Sequence, residues 1–188
     1  MKKIVSGLVC LLIFFFSQIA GAVTTPYVCG SIGLAMLSDS HGNYIADRSF
    51  DSGHLFSGSL GLDSGRYRVE AELGYQKNGV NNSSSVLSMT TYMANGFVNV
   101  ELPLAPVKPF VLAGLGIAKV DDDNGFGLIV GDRVFAWQIG AGAGSSIAPM
   151  VNLDAQYRYF TTTNPELAGY NTYRIGSHNV ILGLRIGL

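Results

Sequence analysis

From about residue 27 onward, apolar and polar residues alternate with a period of two, and clusters of Gly, Asn, Asp, Ser and Pro interrupt the alternation. Successive side chains of a strand point to opposite sides, so this period predicts strands that separate two environments. The clearest segment is 66–77, with Tyr67, Val69, Ala71, Leu73 and Tyr75 on one face and Arg68, Glu70, Glu72, Gly74 and Gln76 on the other. Segment 151–160 repeats the design: Val151, Leu153, Ala155, Tyr157 and Tyr159 oppose Asn152, Asp154, Gln156 and Arg158. Six further segments, at about 27–38, 54–62, 88–101, 109–119, 134–145 and 177–188, bring the expected number of strands to eight. Each has the roughly 9–12 residues that a tilted strand needs to cross a hydrocarbon layer.

The connections alternate as well. Residues 63–65, 102–108 and 146–150 make short links, whereas 39–53, 77–87, 120–133 and 161–176 are longer and polar. Short turns on one rim and long loops on the other are the layout of a transmembrane barrel, whose long loops lie outside the cell. The fold class expected is therefore all-β: an eight-stranded antiparallel up-and-down transmembrane β-barrel.

One continuous apolar run precedes the strands. Lys2 and Lys3 lead into Ile4 to Phe16, and Ser17, Gln18 and the small residues Ala20-Gly21-Ala22 follow. This three-part pattern is that of a secretory signal peptide. Residues 1–22 are expected to be removed, leaving a barrel domain over 23–188. The alternative, a membrane anchor, asks for about 20 apolar residues, more than this run holds. Cleavage would remove Cys10 and leave Cys29 as the one cysteine, so no internal disulfide is expected.

Composition decides which face meets lipid. A soluble barrel with a ligand cavity would also alternate, with its charged face in water. Only 13% of the residues are charged, against about 25% in soluble domains, which is too few for a wetted exterior. Tyr67, Tyr75, Phe135, Trp137, Tyr157 and Tyr159 sit on the apolar face near strand ends, where interfacial girdles belong. Many of the 24 glycines fall on the opposite face, where a narrow interior needs small side chains. The net charge of -1 offers no basic patch for nucleic acid.

With the polar faces inward, the interior would hold Arg66, Arg68, Arg158 and Arg185 against Glu70, Glu72, Glu101 and Asp154. Asn95, Asn99, Gln138 and Gln156 would supply further donors and acceptors, and Gly114, Gly116, Gly140, Gly142 and Gly183 would make room for the arginines. An eight-stranded barrel is just wide enough to be filled by side chains, so a plugged polar core is expected in preference to a pore.

Candidate chemistry is sparse. Ser177 and His178 are adjacent, but adjacent strand residues point to opposite faces, so an acyl-transfer pair is not expected. His41 and His54 have no recognisable partner spacing. Asp121, Asp122 and Asp123 offer hard oxygen ligands, yet the calcium-loop spacing and its bidentate Glu are missing. The sequon at Asn82 is not expected to carry a glycan. No cofactor is expected.

Three stretches carry a family resemblance: Pro109 to Ala118, Phe135 to Gly144, and Leu153 to Phe160, with the closing run His178 to Leu188. Their order along the chain resembles that in small OmpA-like and opacity-type (Opa-type) outer-membrane barrels. The resemblance implies a non-enzymatic surface protein that supports envelope integrity and displays extracellular loops, adhesion being one role of such loops. Its implied partners are outer-membrane lipid and lipopolysaccharide, the barrel-assembly machinery, and host or environmental surface ligands. A small-solute channel and a lipid A-modifying barrel enzyme are the alternatives, although the deacylase-like His-x-Ser-Asn pattern is missing. Such barrels commonly end in an aromatic residue read by the assembly machinery, whereas Leu188 stands here. No wall-binding domain is expected.

Overall fold

The computed structural model describes residues 24–37, 40–42, 45–48, 52–79, 86–100, 106–123, 129–163, 166–167, 170–171 and 176–188. Eight long strands make up the main sheet: β1 (Thr25–Leu37), β2 (Gly53–Asp63), β3 (Tyr67–Gly79), β4 (Val86–Asn99), β5 (Val107–Asp123), β6 (Ile129–Ala148), β7 (Val151–Thr162) and β8 (Gly176–Gly187). Every strand pairs antiparallel with its neighbours in sequence, and β1 pairs with β8 to close the barrel. Closure removes the unpaired sheet edges that a lipid environment does not tolerate. Residues 1–22, including the expected cleavage site, lie outside the described residues.

The register sets the tilt. Starting at His54 on β2 and following paired residues through Leu34, Val180, Tyr157, Ala141, Val111, Val98 and Tyr67, one returns to Ser64, the residue directly after β2. From 54 to 64 is a stagger of ten residues over eight strands, so the strands run obliquely to the barrel axis. The rows of paired residues climb by a little more than one residue per strand.

At the rim where β1 begins and β8 ends, the links are tight. Gly65 takes φ +86°, a conformation that favours glycine, and its N–H donates to Asp63 Oδ1 at 2.7 Å. The amide of Ser64 donates to the Tyr67 carbonyl at 2.9 Å, completing the turn. The β6–β7 turn uses Pro149 and Met150, and Met150 adopts φ 63° without being glycine.

At the other rim the strands outrun the sequence reading. The chain over 120–133 is expected as loop, but β5 continues to Asp123 and β6 begins at Ile129, these two residues being paired. Val120 and Val134 explain the extension: both point inward and are buried, so the apolar register persists beyond the point where the acidic run suggests an end. The loop expected at 77–87 is likewise shortened to the chain between Gly79 and Val86. Short antiparallel pairs, Ser40–Gly42 with Ile45–Arg48 and Glu166–Leu167 with Tyr170–Asn171, lie in the stretches expected as the first and last long loops.

The barrel wall is apolar outside. Ile32, Phe56, Leu60, Leu73, Val111, Ile139 and Leu182 are all at least half exposed, an arrangement that water would penalise and lipid does not.

Candidate functional site in the barrel lumen

β3 and β7 stand opposite one another across the barrel, four strands apart in either direction. Their inward faces carry charge in reciprocal order, Arg68 and Glu72 on β3, Asp154 and Arg158 on β7. Arg68 Nη1 donates to Asp154 Oδ2 at 2.9 Å. Arg158 Nη1 donates to Glu72 Oε2 at 2.7 Å and to Oε1 at 2.9 Å. Both bridges therefore cross the full width of the lumen, and all four side chains are at least nine-tenths buried.

Around these two bridges the remaining polar groups form local sets. Arg185 donates to Asp63 Oδ2 at 2.6 Å and reaches Asp154 Oδ2 at 3.3 Å, so Asp154 is shared by two arginines. Glu70 is in no ion pair among the described residues and accepts instead from the Tyr27 hydroxyl at 2.6 Å and the Ser59 hydroxyl at 3.3 Å. The Arg68 guanidinium is held between two rings, its Cζ lying 4.4 Å from the centroid of Phe97 and 4.8 Å from that of Phe110. These cation–π contacts in a dry setting are worth up to about 2 kcal/mol each. Arg185 lies over Tyr27 at 5.2 Å in the same manner.

Glycines give these side chains their space. Asp154 has Gly144 as its partner on β6 and Gly183 on β8, and Gln156 and Arg158 face Gly142 and Gly140 on β6. A Cβ at Gly144 would run into the Asp154 carboxylate. Gly114 lies between Asn95 of β4 and Gln138 of β6, and over it Gln138 Nε2 donates to Asn95 Oδ1 at 2.7 Å. A side chain at 114 would occupy the position of Asn95 Oδ1. The Gly-Ala-Gly-Ala-Gly run of β6 thus places glycine inside, opposite the Asp-Gln-Arg face of β7, and alanine outside.

The loop-side half of the lumen is built differently. Met89, Met93, Ala118, Val120, Val134, Ala136 and Phe160 form an apolar wall across β4 to β7. Facing it, Gln76, Asn78, Ser177 and Asn179 bond to one another, with Ser177 Oγ donating to Asn179 Oδ1 at 2.6 Å. Between the two halves, beside Glu72, Gln138 and Arg158, a hollow of about 20 Å³ remains, room for about one water molecule.

The residues expected inside are distributed as follows. Arg68, Glu70, Glu72, Asn95, Gln138, Asp154, Gln156, Arg158 and Arg185 face the lumen, all but Arg185 fully buried. Arg66 does not: it belongs to the turn before β3, is exposed, and lies 5.7 Å from the Tyr67 ring. The alternation that would turn Arg66 inward does not hold there, because Arg66 follows Gly65 in the turn and the strand begins only at Tyr67. Glu101 lies outside the described residues, and Asp63, assigned by sequence to a turn, is the acid that meets Arg185. Asn99 ends β4 and donates to the Gly65 carbonyl. Tyr27, Phe97 and Phe110 were not singled out, although each shares its face with inward residues of its own strand.

Tyr67, Tyr75, Phe135, Trp137, Tyr157 and Tyr159 point outward. All but Tyr67 lie toward the loop side, where Phe56, Tyr92 and His178 join them. Trp137 packs edge-on to Tyr159 at 5.9 Å, and His178 Nδ1 lies 2.5 Å from the Tyr157 hydroxyl. Ser177 points inward and His178 outward, so the two cannot act on one substrate. Among the described residues no three His, Cys, Asp or Glu side chains gather as a metal site; the side chains of His41 and Asp121–Asp123 lie outside the description. Cys29 faces the lumen, its thiol 3.6 Å from Ser31 Oγ.

The model of the outer membrane protein β-barrel domain matches residues 6–185. The chain belongs to that family. It is an outer-membrane protein of the OmpA-like and opacity-type class. Outer membrane protein PagN of Salmonella typhimurium is 34% identical over 87 residues, 42% of this chain and 36% of that protein, so the match spans about a third of the relative's length. Among solved structures, Neisserial surface protein A superposes with a TM-score of 0.69 over 87% of this chain and 97% of that one, at 22% identity. That likeness is one of fold.

Proposed function

We propose that this protein is a non-enzymatic outer-membrane scaffold, with a lumen locked by ion pairs, that supports envelope integrity and holds its loops outward toward host or environmental surfaces. The observation that carries the reading is the pair of bridges from β3 to β7. Breaking a buried ion pair by removing one partner costs about 3–5 kcal/mol, so a conduction path through this section would oppose the groups that hold it together. The inward burial of Ser177 and the outward bonding of His178 argue against an acyl-transfer centre. The adhesive role rests on the family resemblance and on the length of the loop-side connections.

Recording from purified protein in planar bilayers tests the locked lumen. Wild type is expected to give no reproducible single-channel steps, and stable steps would replace this reading with that of a small-solute channel. The export step belongs to the same proposal: the mature chain begins at Val23, is folded by the barrel-assembly machinery, and rests among outer-membrane lipid and lipopolysaccharide. An intact mass that retained residues 1–22 in the outer-membrane fraction would reject that cleavage position.

A further inference from the structure

The inward face of β3 runs Arg68, Glu70, Glu72, Gly74, Gln76 and Asn78, and at Gly74 the row loses its side chain. The register sets Gly74 directly between Ser57 of β2 and Thr91 of β4. Both flanking side chains are short, and a Cβ at Gly74 would lie 2.5 Å from Thr91 Oγ1. The space left by the missing side chain opens into the hollow of about 20 Å³ beside the Glu72–Arg158 bridge. Its wall is largely polar. Besides the bridge and the two hydroxyls, the amides of Gln76, Gln138 and Asn179 line it, and Phe160 and Ile181 help to close it.

One buried donor of this wall is left over. Arg158 is 3% exposed, its Nη1 is taken up by the Glu72 carboxylate, and its Nε has no hydrogen-bond partner among the described residues. A buried N–H without an acceptor is costly, and ordered water is the usual remedy where the surroundings are polar and roomy enough. Arg68 Nε is orphaned too, but Arg68 lies between the rings of Phe97 and Phe110 and does not line the hollow.

Size and charge select the occupant. A water needs about 10–15 Å³ of such space, so the hollow takes a single one and excludes a solute of several heavy atoms. The bridge presents both signs of charge: a cation would lie against Arg158 and an anion against Glu72, which favours a neutral group. The hydroxyls and amides favour one that both donates and accepts.

We propose that the hollow beside Gly74 is the binding site of one structural water, which accepts from Arg158 Nε and donates to the hydroxyl and amide oxygens around it. The water joins the charged section of the lumen to the neutral set that includes Gln76 and Asn179. The site is separate from the adhesive reading, and also from the question of conduction, which bilayer recording answers on its own.

The full barrel, labelled with nitrogen-15 and carbon-13 and refolded in phosphatidylcholine nanodiscs, is studied by NMR. Magnetisation transfer from water is read at the Arg158 side-chain Nε–H, assigned through its own side-chain carbons. Wild type is expected to show a cross-peak at the water frequency, with the NOE and ROE of opposite sign that a held water gives. Gly74→Ala puts a methyl group into the hollow and should abolish the peak. Ser57→Ala and Thr91→Val, which each remove one exchangeable hydroxyl and leave the hollow open, should retain it. Folding of each variant is checked first by its heat-dependent gel shift, and should Gly74→Ala not fold, Ser57→Leu fills the hollow from β2 and is read in the same way. Wild type without a water peak at Arg158 Nε–H overturns the proposal, and so does a peak that survives in the folded filling variant. A peak lost with either single hydroxyl also overturns it, since the transfer would then run through that hydroxyl and not from a bound water.

Discussion

The turn-side half of the lumen is organised by charge, and the loop-side half by shape. On the turn side, Arg68, Asp154, Arg185 and Asp63 are linked by bonds between strands that are one, two or four apart, with Arg158 and Glu72 one layer above. On the loop side the wall from β4 to β7 is apolar on its inner face, packs Met89, Met93, Val120, Val134 and Phe160 together, and faces the uncharged set of Gln76, Asn78, Ser177 and Asn179. A charged pair fixes a unique partner and orientation but tolerates little loss. An apolar wall accepts any side chain of similar volume. The half nearest the tight turns is therefore specified atom by atom, and the half nearest the long connections is specified chiefly by volume.

Removing charge while conserving shape should produce the largest contrast. Asp154→Asn leaves two arginines facing a neutral amide and is expected to cost about 3–5 kcal/mol, whereas Met89→Leu on the loop side should cost less than about 1.5 kcal/mol. Urea unfolding of both variants in lipid vesicles measures the difference. Equal losses would remove the distinction between the halves.

Glycine substitutions sharpen the comparison at intermediate size. Gly144→Ala forces the Asp154 carboxylate aside and should destabilise by about 1–3 kcal/mol. Gly58→Ala, on the lipid side where nothing lies within 4 Å of the added carbon, should be neutral or stabilise by up to about 1 kcal/mol. Opposite signs in the same unfolding assay are the expected outcome. A small effect is also expected at the turn, where Met150→Gly relieves a φ of 63° and should stabilise by up to about 1 kcal/mol. A clear loss there would mean that the Met150 side chain, which packs near Gly187, matters more than its backbone.

The contrast also explains what the sequence makes legible. Along β3 and β7 strict alternation of charged with apolar residues divides the faces without ambiguity, because one face meets hydrocarbon. Which arginine meets which acid is not legible: Arg68 and Asp154 are joined only once a stagger of ten residues sets their heights, and nothing local records that stagger. Asp-Ser-Gly favours turns, so the sequence places Asp63 in one, yet it is also the last residue of β2 and reaches inward. The acidic run at Asp121–Asp123 was read as loop because Asp is depleted in strands, while the inward packing of Val120 and Val134 carries the sheet past it. Phe97 and Phe110 share the inward faces of their strands with Asn95 and Leu112, and the position of Arg68 between the two rings shows what holds them there.

A charge-reversal cycle tests the bridge between Glu72 and Arg158 directly. Glu72→Arg and Arg158→Glu each place two like charges face to face across the lumen, and each alone should destabilise the barrel by several kcal/mol. Combining them restores one charge of each sign at the same two positions. The double variant is expected to recover at least half of the summed loss in vesicle unfolding experiments. A double variant no more stable than the sum of the two single losses would show that these residues do not hold one another across the lumen, contrary to that expectation.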